Sequence, residues 1–159
     1  MNRQRTRWAW SFGTLFGIGS LRPGPGTWGS AAALLVWLAA DRWAHWNRAE
    51  LAFATAVAAI TLTLVGIAAC NIIVRESGIE DPSFVVLDEV AGQWIALIAA
   101  TGRPWSWLLA FLLFRLFDIL KPPPARQFDG MHGGFGIMMD DVAAGLYAMV
   151  LLWLASHWS

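Results

Sequence analysis

The sequence predicts an all-α integral membrane protein: a compact bundle of four to five transmembrane helices with an N-terminal interfacial helix. Two observations carry this reading. The 159 residues are 57% hydrophobic and only 14% charged, with a mean hydropathy of +0.52, whereas a soluble domain usually carries about 25% charged residues. The apolar residues are also gathered into runs of near-bilayer length, and most of the 11 tryptophans stand near the ends of those runs, as an aromatic belt requires. The length fits one domain over 1–159, divided into an interfacial segment 1–20 and a helical bundle 21–159.

Segment 1–20 starts like a signal peptide, with Arg3, Arg5 and Arg7 ahead of an apolar stretch. Trp8 and Trp10 interrupt that stretch, and no small-residue cleavage site follows. It reads as a retained interfacial helix whose arginines stay on the cytoplasmic side. A Pro/Gly turn, LRPGPGTWGS, leads into the first span, 28–46, and the clearest span is the charge-free run 51–74. Three further runs, 84–100, 105–120 and 142–158, are shorter or carry charges. A bilayer core takes about 20 apolar residues per helix, so 105–120 suits a half-length or strongly tilted helix. With the N-terminus inside, loops 75–83 and 121–141 fall inside, and 41–50 and 101–104 fall outside. Lys121 and Arg126 obey the positive-inside rule, while Arg42, Arg48 and Arg103 run against it.

Composition also excludes some functions. The formal net charge is zero and no basic tract is present, so nucleic acid is not an expected partner. The single cysteine, Cys70, lies deep in an apolar run, which rules out a disulfide framework and makes a poor nucleophile.

Under this topology the unusual polar groups converge on one membrane face. Asp88 and Glu89 stand near the start of the third span, Asp118 and Lys121 close the fourth, and Asp140 and Asp141 open the fifth. Ionisable residues in or beside a span are costly, which makes each a functional candidate. Asp88 and Glu89 would also suit a helix N-terminus, but Asp81 and Ser83 offer better caps there. Asp88, Gly92 and Ala96 share a helix face, as do Asp141, Gly145 and Ala148, so each acid heads a stripe of small residues suited to tight helix packing. Asp141 is the better candidate for the bundle interior, with Asp140 left for a second metal, a base or the loop. Arg115, Asp118 and Lys121 are spaced to share another face.

The loop KPPPARQFDGMHGGFG holds Pro122, Pro123 and Pro124, which end the helix, and Gly133, Gly134 and Gly136, which let backbone amides approach an anion. His132 lies inside it. Thr27 and the amides after it begin a helix, a natural phosphate seat. Clustered carboxylates without cysteine favour a hard divalent cation bound through oxygen, with Mg²⁺ foremost. Lys121, Arg115 and Arg126 nearby suit Mg²⁺ together with phosphate.

The stretches GSLRPGPGTWGS, VLDEVAGQWIAL, FRLFDILKPPPARQFD and HGGFGIMMDDVAAG resemble, in this order, the motifs of the phosphatidylglycerophosphatase A family, over about 17–150. The resemblance implies a small, multi-pass enzyme of the bacterial inner membrane. Such an enzyme is Mg²⁺-dependent, acts at the cytoplasmic face, and converts the phospholipid phosphatidylglycerophosphate to phosphatidylglycerol. It carries over to Pro25, Gly26, Thr27, Asp88, Glu89, Gly92, Arg115, Asp118, Lys121, Pro122, Pro124, Asp129, Gly133, Gly134, Asp140 and Asp141. Pro123 departs from the family, whose members often have a large aromatic there, and Arg22 has no expected counterpart.

The expected site therefore has Asp88, Glu89, Asp118, Asp140 and Asp141 holding Mg²⁺. Lys121 completes the catalytic set, and Thr27, Arg115, Arg126, His132, Gly133 and Gly134 bind substrate. The nucleophile is water, with Asp118 or Asp140 as base, or else an aspartate that forms a phosphoenzyme. A CDP-alcohol phosphotransferase would carry Asp-x-x-Asp-Gly and later spaced acids on two helices, whereas here the acids are adjacent and spread over three. An ion or metal transporter would place its acids near mid-bilayer, and these lie near one end of each span. Oligomeric state is left open.

Overall fold

The computed structural model describes residues 5–157, so Arg3 lies outside the described residues. Among these the regular elements are all helical: α1 (Arg7–Gly13), α2 (Pro25–Trp43), α3 (Arg48–Ser77), α4 (Leu87–Leu97), α5 (Pro104–Leu120), α6 (Ala125–Asp129) and α7 (Gly133–His157), with a 3₁₀ turn at Ile18–Ser20. Two of them, α3 and α7, are long and apolar enough to cross a membrane.

Local sequence explains most boundaries. Asn47 caps α3 in a capping box: its side chain accepts from the Glu50 N–H at 3.0 Å, and the Glu50 carboxylate accepts from the Asn47 N–H at 2.9 Å. Gly78 ends α3 in the left-handed region at φ 75°. Pro25 and Pro104 occupy the first turns of α2 and α5, where a missing N–H costs nothing. Lys121 closes α5 with φ 46°, ahead of the three prolines.

Three expectations about boundaries are corrected. The run 84–100 folds into a helix of only 11 residues, about 16 Å long against a bilayer core of about 30 Å. Asp81 and Ser83 do not cap it; the N-cap is Val86, which has no side-chain cap bond. The Val86 N–H donates instead to the Gly13 carbonyl at 2.9 Å, so α1 sets where α4 starts. Finally, α7 begins at Gly133, so Asp140 and Asp141 lie two turns inside it and do not open it.

The short α4 is the axle of the bundle. Most of its residues are buried, and it carries none of the described exposed large hydrophobics. The exposed apolar side chains run instead along the four helices around it: Leu35 and Val36 on α2, Phe53, Ile60 and Leu64 on α3, Leu112 and Ile119 on α5, and Val150 and Leu154 on α7. The small-residue stripes, expected to pack tightly, meet each other. A methyl on Gly92 would strike the Phe114 ring and the Asp141 carbonyl oxygen, and one on Gly145 would strike the Gly92 carbonyl oxygen. Backbone-to-backbone contact of this kind fixes α4 against α7 and carries both acidic pairs to the same level.

Below that level one cluster, with Trp37, Leu97, Phe114 and Leu152, fills the space between the helices. A second, with Ala9, Ile73, Val85 and Met138, ties α1 to α3. The N-terminal segment is therefore packed on the bundle as well as presented outward: Ala9 is buried, Trp10 stacks on Phe84 at 5.3 Å, and Trp8 and Phe12 stay exposed.

Candidate active site

Helix α4 puts Asp88 and Glu89 in its first turn, and α7 brings Asp141 across from them. Carboxylate oxygens of these three residues all lie within 4.8 Å of one another. They border a cavity of about 290 Å³, which is also walled by Pro25, Gly26, Asp118, Lys121, Asp129 and Asp140. The expected convergence of α4, α5 and α7 acids at one end of the bundle is what the structure shows.

The acids differ in what offsets their charge. Asp118 Oδ2 lies 2.5 Å from Arg115 Nη1. Lys121 Nζ pairs with Asp129 and lies 2.7 Å from Asp140 Oδ2. Asp140 Oδ1 accepts the Asp141 N–H at 2.9 Å, so both of its oxygens are engaged. Partial burial lowers the Lys121 pKa, and its hydrogen bonds to Asp129 and Asp140 raise it by more, so the ammonium stays charged well above its ordinary range. Asp88 Oδ1 and Glu89 Oε2, by contrast, are buried with no hydrogen-bond partner. Buried polar atoms are nearly always satisfied, and like charges this close repel strongly away from bulk water. An oxygen-only set of this kind suits a hard divalent cation.

Gly26 lets the site close. A side chain there would strike Glu89 Oε1 and crowd Arg115 Nη1, so α2 can press on the α4 acids only through a glycine. Ser30, one turn on, is buried, donates to the Gly26 carbonyl at 2.9 Å and lies 3.4 Å from Arg115 Nη1.

The residues expected to bind phosphate divide. His132 and Lys121 line the cavity, whereas Thr27, Arg115, Arg126, Gly133 and Gly134 do not. Thr27 and Arg126 are exposed. Arg115 stands behind the wall, holding Asp118. The Gly134 N–H is taken by Asn71 Oδ1 at 2.8 Å, and a methyl on this glycine would strike the Ile67 carbonyl oxygen, so its smallness serves the α3–α7 contact and not an anion. Only Gly133 of the three loop glycines has a positive φ, 79°; Gly134 and Gly136 are helical.

Sequence reasoning missed Glu80, Asp81 and Ser83, which form the opposite wall. Their signal is the polar run SGIEDPS between two apolar stretches, whose composition equally suits a loop and helix caps. It also missed Gln93, which is fully buried one turn below Glu89 with neither amide atom partnered.

An all-helical fold with an acidic cluster in a cavity at one end fits the lipid-phosphatase class, and known proteins supply the assignment. The phosphatidylglycerophosphatase A family model matches residues 11–156, and the chain belongs to that family. It is 37% identical to the Haemophilus influenzae phosphatidylglycerophosphatase A over 90% of this chain and 85% of that one. It is 36% identical to the Escherichia coli phosphatidylglycerophosphatase A over 90% and 81%. A Bacteroides thetaiotaomicron protein provisionally named phosphatidylinositol-3-phosphatase is 41% identical over 90% of both chains. No solved structure gives a significant match.

Proposed function

We propose that this chain hydrolyses phosphatidylglycerophosphate to phosphatidylglycerol, using Mg²⁺, at the cytoplasmic face of the bacterial inner membrane. The observation that carries the reading is the trio Asp88, Glu89 and Asp141, whose carboxylate oxygens gather within 4.8 Å of one another in a cavity walled by further acids and Lys121. Family membership and the names of the two phosphatidylglycerophosphatase relatives supply the substrate. Helices α2, α3, α5 and α7 present their apolar stripes to lipid, and α4 completes the span inside them. Irregular backbone at its two ends is tolerated at membrane depth where protein covers it. A phosphomonoester headgroup at the bilayer surface would then meet the acidic end of the bundle.

In this reading Asp88, Glu89 and Asp141 hold Mg²⁺, with Asp118 and Asp140 beside them. The ion, when bound, supplies positive charge to the phosphoryl oxygens. Lys121, fixed by Asp129 and Asp140, adds charge on the opposite wall as negative charge spreads over the equatorial oxygens. A water oxygen bonds to phosphorus while the P–O bond to the glycerol breaks. The water's proton passes to a carboxylate, and the leaving glycerol oxygen is protonated. Asp118 suits the base role better than Asp140, because Lys121 and the Asp141 amide occupy both Asp140 oxygens. Arg115 positions Asp118.

The test is phosphate release from purified protein given phosphatidylglycerophosphate, with and without Mg²⁺, for wild type and Asp141→Asn. Release that depends on Mg²⁺ and collapses in the variant supports the assignment, and equal rates for the two proteins overturn it. Phosphatidylinositol 3-phosphate in the same assay reads headgroup choice, which the name of the Bacteroides relative makes worth asking.

A further inference from the structure

A second cleft, about 1020 Å³, lies between the N-terminal segment, the end of α3 and the far side of loop 78–86. It is chemically the opposite of the carboxylate cavity. Two guanidinium groups, those of Arg5 and Arg22, line it, and its one carboxylate, Glu76, is committed elsewhere. Glu76 accepts from the Thr6 N–H at 2.9 Å, the Thr6 hydroxyl at 2.5 Å and the Trp10 indole N–H at 2.7 Å. Arg5 lies over the Trp10 ring at 4.1 Å. Among the described residues neither arginine forms an ion pair with a carboxylate, and the proposed phosphatase chemistry uses neither.

The rim of this cleft is apolar by construction. Leu15, Phe16 and Gly17 run consecutively through the left-handed region, with φ of 47°, 54° and 98°, a conformation that leucine and phenylalanine rarely adopt. Its outcome is a Phe16 side chain held 77% exposed, beside Phe12 at a ring distance of 5.8 Å. Unpaired cations inside and bare aromatic rings outside match the two ends of one kind of molecule.

We propose that this cleft binds an anionic phospholipid, with the headgroup phosphodiester on Arg5 and Arg22 and an acyl chain over Phe12 and Phe16. A free phosphate ion would satisfy the arginines alone and leave the apolar rim unused. The site is separate from the carboxylate cavity but shares a wall with it: Ile79 and Phe84 face the cleft, while Glu80, Asp81, Ser83 and Val85 face the cavity. A lipid held here seats the loop that forms the far wall of the active site. The proposal rests on the membrane reading but not on turnover.

The experiment uses the full chain in nanodiscs of phosphatidylcholine with a minor fraction of phosphatidylserine, and native mass spectrometry reads the lipid retained. Wild type is expected to retain phosphatidylserine at least tenfold over its share of the bilayer. The Arg5→Gln/Arg22→Gln variant should lose that enrichment, and the Arg5→Lys/Arg22→Lys variant should keep part of it. Both arginines are exposed, so melting temperature should stay unchanged. Asp88→Asn should retain lipid as wild type does; loss of retention there would move the lipid to the carboxylate cavity and overturn the proposal. Equal retention by the double glutamine variant would also overturn it. So would displacement of the lipid by millimolar inorganic phosphate, because the site would then be one for a free anion.

Discussion

The acidic end of the bundle has two sides, and they solve the same electrostatic problem differently. On the side facing α5 and α6 each carboxylate has a built-in cation: Asp118 has Arg115, and Asp129 shares Lys121 with Asp140 of α7. On the α4 side Asp88 and Glu89 meet Asp141, and among the described residues no lysine or arginine forms an ion pair with any of the three. Both sides are at least partly withdrawn from water, so burial alone does not separate them. The first side is compensated by its own cations, whereas the second gathers like charges that a proton or the proposed Mg²⁺ would relieve. A protein selected for stability alone would have no reason to keep the second arrangement.

The sharpest way to break the comparison is to neutralise one acid on each side. Asp141→Asn should cut phosphate release by about 10²–10⁴-fold, because losing several kcal/mol of charge stabilisation costs a factor of ten per 1.36 kcal/mol. The same change should raise the melting temperature measured without Mg²⁺, since it removes repulsion, and abolish the rise that Mg²⁺ gives wild type. Asp129→Asn on the compensated side should leave the Mg²⁺-dependent rise in place. If both variants behaved alike in the melting experiment, the distinction between the two sides would be wrong.

The next effect comes from undoing the compensation. Lys121→Met leaves Asp140 nearly buried and unpaired. Breaking a fully buried pair costs about 3–5 kcal/mol; Lys121 and Asp129 are partly exposed here, so roughly 1–3 kcal/mol is expected after solvent screening. Melting should fall without Mg²⁺ as well as with it, unlike in Asp141→Asn. The double variant Lys121→Met/Asp140→Asn should recover much of the stability but not the activity, which separates the structural role of the lysine from its catalytic one.

How far the sequence carried these conclusions depends on the range of the forces involved. The stripes Asp88–Gly92–Ala96 and Asp141–Gly145–Ala148 are legible because a period of 3.6 residues and the absence of side chains are local facts; they predict tight packing, and the fold decides that the partners are α4 and α7. The start of α7 was not legible. Gly133 and Gly134 look like loop, but Asn71 accepts the Gly134 N–H from 63 residues away and lets the helix begin there. The start of α4 depends on Gly13 in the same manner. Polar partners were misjudged for a related reason. Arg115 and Arg126 have the charge to bind phosphate, but burial behind a wall or exposure away from the cavity is decided by the fold. Asp81 and Ser83 have the chemistry of caps and were spent on the cavity instead.

A smaller effect tests the packing that holds the uncompensated side in place. Gly26→Ala puts a methyl where Glu89 Oε1 and Arg115 Nη1 now sit. Both are ends of flexible side chains, so the bundle should fold and Glu89 should shift. The expected result is roughly a tenfold loss of activity, with a weaker Mg²⁺ response in melting, short of the roughly hundredfold that a full 1 Å misplacement can cost. Gly26→Ala with full activity would mean that Glu89 is not fixed by α2.

The smallest effect should come from the pair at the cavity mouth. Glu80 and His132 approach to 3.5 Å, but their side chains are 75% and 81% exposed. The attraction exists only when the imidazole is protonated. An exposed pair of this kind contributes little, and salt screens what remains. Glu80→Gln should therefore leave the melting temperature unchanged at neutral pH and at pH 5.5, and kcat/KM within about twofold. The compensated pairs on α5 and α6 would then owe their weight to burial, not to the mere presence of opposite charges. If Glu80→Gln instead raised KM tenfold with melting unchanged, the mouth pair would be contacting the lipid headgroup, and His132 would regain the substrate-binding role that its place in the sequence suggested.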